Sequence, residues 1–329
     1  MTPPKSASPS RLTQISLLLL GLALIAPLVS GHAFYINIGS QILIAAIFAM
    51  SLNILVGYGG LTSLGHAAFL GTSAYTVALL TLQFNFSFFA AAAIALVVVV
   101  GLACLFGAIA LRGQGITFLM ITLALGQTLW GVAFRWSDVT GGDNGLPGVK
   151  RPDLFGIHLT DPIAFYTVTI VLFLIALAAM AIFIQSGLGL SLQGTRDQPR
   201  RMGMLGHHVW LVRYIAYILA AFWAGIAGIA FIAYHGYIHP ASLNLSNSAE
   251  VLLMVIAGGA GTLFGPVIGA AIVILLKMVV SAYVARWMLL LGCIFIAIVI
   301  FLPEGVVPGL SRWLEKRFLA SSSDQQGAS

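Results

Sequence analysis

Two pairs of histidines stand at spacings that a metal could use. His235 and His239 are four apart in the stretch HGYIH, one turn of a helix, and His207 and His208 are adjacent. Neither pair has an obvious third ligand, and both lie at the ends of apolar runs where imidazoles are commonly solvated, so no metal site is expected. Cys104 and Cys293 each fall inside an apolar run and read as small buried residues rather than a disulfide or thiolate cluster. Hydrolytic and phosphate chemistry also lacks its motifs, with no HExxH, no GxSxG and no GxxxxGKS or GxxxxGKT. No catalytic constellation assembles, and the chain reads as something other than an enzyme.

The unusual chemistry is that of the backbone. Residues 57–71 read GYGGLTSLGHAAFLG, placing Gly57, Gly59, Gly60, Gly65, two hydroxyls and His66 inside an apolar run. A second such stretch, AGGAGTLFGPVIGA at 257–270, contains Gly258, Gly259, Gly261 and Pro266. Small residues let helix backbones approach closely, and glycine also accepts the dihedrals of an unwound turn. Paired interruptions in two halves of a membrane chain point to a solute path near the bilayer midplane, and these ten-odd positions are candidates to line one. Asn53 and His66 are the polar side chains nearest to it. Asn53 could bond a neighbouring helix or freed backbone groups; His66 could do the same or titrate near neutral pH. Close helix packing alone is the competing account of the glycines.

The elements that must position these residues are membrane helices. The chain of 329 residues is 60% hydrophobic and 7% charged, with a mean hydropathy of +1.04. Apolar runs of roughly 18 residues or more recur, each enough for about 30 Å of hydrocarbon. Short alternating segments, the mark of a barrel, are not seen. The fold class is therefore an all-α polytopic membrane protein, with about ten transmembrane or partly re-entrant helices. Candidate spans cover 15–30, 36–56, 61–82, 87–111, 115–134, 163–185, 213–234, 249–259, 263–281 and 286–302. The segment 249–259 is short for a span, so a re-entrant helix competes there. The first span, followed by VSG at 29–31, could also be a cleaved leader, but its long apolar core favours retention.

The formal charge of +6 does not signal nucleic acid, because no basic cluster with interleaved aromatics appears. Instead Lys5 and Arg11, the arginines at 196, 200, 201 and 213, and the basic tail Arg312, Lys316 and Arg317 mark cytoplasmic segments. Three parts follow: a cytoplasmic tail at 1–14, a membrane domain at 15–302 and a cytoplasmic tail at 303–329. Within the domain, the loop 135–162 mixes both charges and suits the outer face, while 186–212 faces the cytoplasm. A short helix is expected after Pro199, at its first position, with a stop near Gly206. That helix would suit docking of an ATPase; an ordinary solvated loop is the alternative. No Asp, Glu, Lys or Arg occurs from Gln14 to Leu111, which leaves little ion-coupling machinery for a self-powered secondary transporter. Energy is expected from another chain.

The order of motifs resembles the branched-chain amino acid ABC transporter permease family, in its M-type (LivM-like) branch. The matching pieces include SLNILVGYGGLTSLGHAAFLGTSAYT at 51–76, GITFLMITLALGQTLW at 115–130 and DVTGGDNGLPGV at 138–149. They continue with RDQPRRMGMLGHHVWLVRYIAYILAAFWAGIAGIAF at 196–231, EVLLMVIAGGAGTLFGPVIGA at 250–270 and FLPEGVV at 301–307, covering nearly the whole chain. The resemblance implies an importer in the bacterial inner membrane. Its core would be this chain and a second, H-type permease, surrounded by membrane lipid. Two ATP-binding subunits would use ATP, with no cofactor bound by this chain, and a periplasmic binding protein would deliver the solute. It also implies that Arg196, Arg200, Arg201, Leu205 and Gly206 belong to the ATPase-coupling loop. Gly203 and Met204 depart there from a charged residue and an alanine common among relatives. Gly141, Gly142, Asp143 and Asn144 match the family's extracytoplasmic loop, a surface for the binding protein, and the Gly-rich turn with Pro147 favours a structured loop. The implied solute is leucine, isoleucine or valine, with urea or a short amide as the alternative.

Overall fold

The computed structural model describes residues 31–154 and 157–283, with residues 26–27, 289, 292–293, 296 and 305–306 besides. The expected spans 15–30 and 286–302, both tails and the question of a cleaved leader therefore lie outside the described residues, those isolated positions apart.

Among the described residues the chain is mostly helical, and eight apolar helices of 14 residues or more pack into a bundle. They are α1 (Ala33–Asn53), α2 (Ala67–Leu82), α3 (Phe88–Ala110), α4 (Ile116–Arg135), α6 (Pro162–Gln185), α9 (Val209–His235), α10 (Leu245–Gly258) and α11 (Gly265–Tyr283). Between them lie the short α5 (Ser137–Thr140), α7 (Gly187–Asp197) and α8 (Pro199–Met204). Six of the eight, with α1 extended to Tyr58 by a π-helical turn, are long and apolar enough to cross a membrane, and α2 and α10 are shorter apolar helices.

Local sequence explains where these helices start and stop. Ser87, Asp161, Ser186 and Asn244 each cap the helix that follows, accepting a bond from a backbone N–H of its first turn. Pro162 and Pro199 occupy first-turn positions, where a missing N–H costs nothing. Gly236 ends α9 in the left-handed conformation. Within the helices, however, apolar residues face every direction, and position in the bundle decides burial. The α1 span is 78% buried and α9 61%, whereas α3 and α4 are 22% each. The first two form the centre; α3, α4 and much of α6 present Val97, Leu105, Met120, Ile175 and Ile182 outward.

Two small constructions close the ends. At one, β1 (Leu146–Pro147) pairs antiparallel with β4 (Tyr237–Ile238), in register Leu146↔Ile238, and β2 (Asp153–Leu154) pairs with β3 (Ile157–His158). Arg151 ties this sheet end down by donating to the Tyr234 carbonyl at 3.2 Å. At the other end α7 packs under the bundle, burying Leu192 and Thr195, and Arg213 at the start of α9 donates to the Thr195 carbonyl at 2.8 Å. The expected loop 186–212 is thus largely helical. The segment 249–259 corresponds to α10, a shorter apolar helix of 14 residues that packs antiparallel on α11 through Gly258 and Gly269. The expected span 61–82 is helical only from Ala67; residues 59–66 are not helix.

Candidate functional site

The first break starts where α1 loosens. Residues Ile54–Tyr58 form a π turn, a local widening frequent at functional sites. Gly59 N–H then bonds the Ile54 carbonyl at 3.1 Å, Leu61 N–H bonds Leu55 at 2.8 Å, and Gly60 turns left-handed at φ 64°. The second break joins α10 to α11, with Gly259 at φ 116° and Gly261 at φ 83°.

These two breaks are one structure. The Asn53 carboxamide accepts the Gly261 N–H at 2.9 Å and donates to the Thr262 carbonyl at 2.9 Å, satisfying backbone that would otherwise be unpaired inside the bundle. Gly57 lies directly against this staple, where a Cβ would strike both the Asn53 side chain and the Gly261 backbone. Arg196, at the end of α7, then donates to the Gly57 carbonyl, and its stem lies on Gly60. The breaks therefore sit at the α7 end of α1, not at the middle of the bundle.

From there residues 61–66 climb back along α1. Leu64 N–H bonds the Thr122 hydroxyl at 3.3 Å, Gly65 N–H the Ser63 hydroxyl at 3.4 Å, and Ala67 N–H the Ser248 hydroxyl at 3.1 Å. Gly65 sits on the Thr122 carbonyl, and Gly126 of α4 faces its Cα, leaving no room for a side chain. Freed backbone is thus satisfied by Ser63 and by hydroxyls from two distant helices. His66 does not share in this: its Nε2 pairs with the Ser51 hydroxyl at 2.8 Å, while its ring stacks on Phe48 at 5.4 Å and meets the edge of Phe69 at 5.9 Å. Gly258 and Gly269 bring α10 and α11 into backbone contact, and Pro266 occupies the first turn of α11.

Above the Phe48–His66 stack, toward the sheet end, lies a cavity of about 410 Å³ between α1, α2, α9, α10 and α11. Its polar wall carries Gln41, Asn247, Glu250 and Lys277; its apolar wall includes Ile44, Phe48, Leu70 and Met254. Lys277 Nζ donates to both Glu250 oxygens, at 3.1 Å each. Sequence reasoning did not assign this pair to a site, although charges within apolar helices were the available signal.

The remaining predicted residues fall on two surfaces. Arg200, Arg201 and Leu205 are exposed on and just after α8, with Leu205 74% exposed, and Gly206 ends the segment at φ 87°. Met202 anchors α8 against Gly194. Arg196 is separate from that surface, being turned into the breaks. At the sheet end, Gly141 and Gly142 adopt positive φ, Gly142 is buried, and Asp143 and Asn144 face outward. Asp143 lies 3.6 Å from His239 Nε2, whose Nδ1 accepts the Ala241 N–H, so His235 and His239 do not converge. Among the described residues no three metal-ligating side chains come together.

Comparison with known proteins gives a consistent result. The family described as "Branched-chain amino acid transport system / permease component" matches residues 34–299. The chain is 27% identical over 296 residues to the high-affinity branched-chain amino acid transport system permease protein LivM of Salmonella typhimurium, covering 83% of this chain and 70% of that one. It is 26% identical over 313 residues to the protein of the same name from Escherichia coli K12, covering 88% and 74%. No solved structure gives a significant match.

Proposed function

The chain belongs to the branched-chain amino acid transport permease family, and from that premise we propose that it carries leucine, isoleucine or valine across a bacterial inner membrane as one permease of an ATP-driven importer. A second permease chain would complete the path, two ATP-binding subunits would attach at the α7–α8 end, and a periplasmic binding protein would dock at the sheet end. The charge distribution supports that orientation. Arg112, Arg196, Arg200, Arg201 and Arg213 gather at the α7 end, while the sheet end mixes Arg135, Lys150 and Arg151 with Asp138, Asp143 and Asp161.

One observation carries the mechanism: Arg196 joins the cytoplasmic loop to both helix breaks. The link runs from α7 through the Gly57 carbonyl to the Asn53 staple, and so to the loop between α10 and α11. Closure of the ATP-binding subunits on α8 would move α7 and with it the two breaks. Packed interfaces of this kind switch between discrete arrangements, so a small displacement there can open or close the Phe48–His66 stack beneath the cavity. In this reading the glycines serve as the hinge, and the solute passes along the face of α1 from Gln41 to Asn53.

Uptake of labelled leucine and of labelled urea, in cells lacking only this chain and in cells with it restored, tests the proposal. Leucine uptake that depends on the chain and on ATP is the expected result. Dependence of urea uptake alone would replace the solute, and no change in either would overturn the assignment.

A further inference from the structure

We infer that the 410 Å³ cavity is a binding site for one zwitterionic α-amino acid, recognised by the Glu250–Lys277 pair at its polar wall and by apolar side chains at its floor. This rests on the proposed importer function and adds a solute site to it.

Charge placement is the first support. Glu250 lies in the second turn of α10, where a polar start gives way to the apolar run Val251–Ala257, and Lys277 lies in the last two turns of α11 among apolar residues. Ionisable side chains in membrane helices are costly and mark solute or ion pathways by default. An ion pair is also a weak stabiliser there, since an apolar pair of similar size would serve as well or better. The pair places a positive and a negative group side by side, with Nζ 3.1 Å from each carboxylate oxygen. An α-amino acid bears the opposite pair on a single carbon. Laid against the wall, its carboxylate meets Lys277 and its ammonium meets Glu250, so each charge of the solute gains an opposite neighbour. Both protein side chains are reachable, being 39% and 20% exposed. Urea offers no charges for this arrangement.

Shape is the second. The volume lies within the roughly 300–1,000 Å³ typical of small-molecule sites. From Gln41 to Phe48 on α1, and from Asn247 to Met254 on α10, the lining descends about 10 Å at 1.5 Å per residue. Over that distance it changes from amides and charges to Ile44, Phe48, Leu70 and Met254. A solute with a charged head and a short aliphatic tail fits head toward the sheet end, its tail on the Phe48–His66 stack. Delivery from the sheet end would present the polar wall first.

The test uses the complex purified with its partner subunits but without the binding protein. In a background of Cys104→Ala and Cys293→Ala, Asn247→Cys places a thiol on the cavity wall, and its rate of labelling by an aqueous maleimide is read. Leucine at millimolar concentration is expected to slow labelling at least fivefold, while 4-methylpentanoate and 3-methylbutylamine, each keeping one charge, slow it less than twofold. Adding Glu250→Gln with Lys277→Met is expected to abolish the protection by leucine. Equal protection by all three compounds, protection that survives the double substitution, or no protection in a complex that still imports leucine in cells would overturn this site alone. Failure of the parental complex to import leucine would instead overturn the importer reading on which it rests.

Discussion

Arg196 donates a hydrogen bond to the carbonyl of Gly57, and its aliphatic stem lies on Gly60, so a residue of the α7 end closes over the first helix break. Half of this side chain remains exposed, at 49%, and Asp197 lies 3.9 Å away, in a setting where an ion pair contributes little to stability. Loss of the side chain should therefore affect coupling more than folding. Arg196→Ala is expected to leave the amount of chain in the membrane near the wild-type level while lowering ATP-dependent leucine uptake at least tenfold. Arg196→Lys, which retains reach and charge but not the forked geometry, should recover part of it. Wild-type uptake by Arg196→Ala would remove this residue from the coupling route.

Asn53 tests the staple between the two breaks. Asn53→Leu has similar size but leaves the part-buried Gly261 N–H and Thr262 carbonyl without this partner, at a cost of up to about 1–3 kcal/mol for each group. The thermal midpoint of the detergent-solubilised complex should fall clearly. Gln83→Leu removes an exposed bond to the Val139 carbonyl and serves as control, with an expected change within about 0.5 kcal/mol. Equal shifts for the two would mean that the staple has no special weight.

Gly65 and Gly131 separate a glycine needed for close approach from one that is not. A Cβ at Gly65 would occupy the position of the Thr122 backbone carbonyl, whereas one at Gly131 meets nothing within 4 Å. Gly65→Ala should lower the thermal midpoint or the membrane yield sharply. Gly131→Ala, inside α4, should be neutral or stabilising by up to about 1 kcal/mol from helix propensity. A Gly65→Leu chain that accumulates stably and imports leucine normally would exclude residue 65 from both the packing and the path.

Arg200 and Arg201 are exposed on α8, beside Met204 and Leu205 at 81% and 74% exposure. An exposed apolar and basic surface on a short helix suits a protein partner, and reversing its charge should not disturb the bundle. Arg200→Glu with Arg201→Glu is expected to preserve membrane insertion while abolishing the stimulation of ATPase activity by loaded binding protein. Retained stimulation would move the docking surface off α8.

Much of this architecture was legible in the chain as a sequence. Runs such as 88–110 and 162–185 are apolar for more than 20 residues, and hydropathy needs only such a window to mark them. Local signals also located Pro199 at a helix start, Gly206 at its stop, a structured loop around Gly141 to Pro147, and breaks at both glycine-rich stretches. Order of motifs identified the family. What these signals share is short range: each depends on neighbours within a turn or two.

Only the tertiary structure decided which of these parts meet. Asn53 and Gly261 are 208 residues apart, and Arg196 and Gly57 are 139 apart. In a soluble helix the polar face would have revealed which side turns inward. Here lipid is as apolar as the core, so α1 and α6 are apolar on every side and carry no such record. For that reason sequence reasoning found both glycine-rich breaks but not that they lock together at the α7 end. Nor did it bring Glu250 and Lys277 to a shared site. The antiparallel packing of α10 on α11, through backbone contact at Gly258 and Gly269, brings that charged pair to one wall of one cavity.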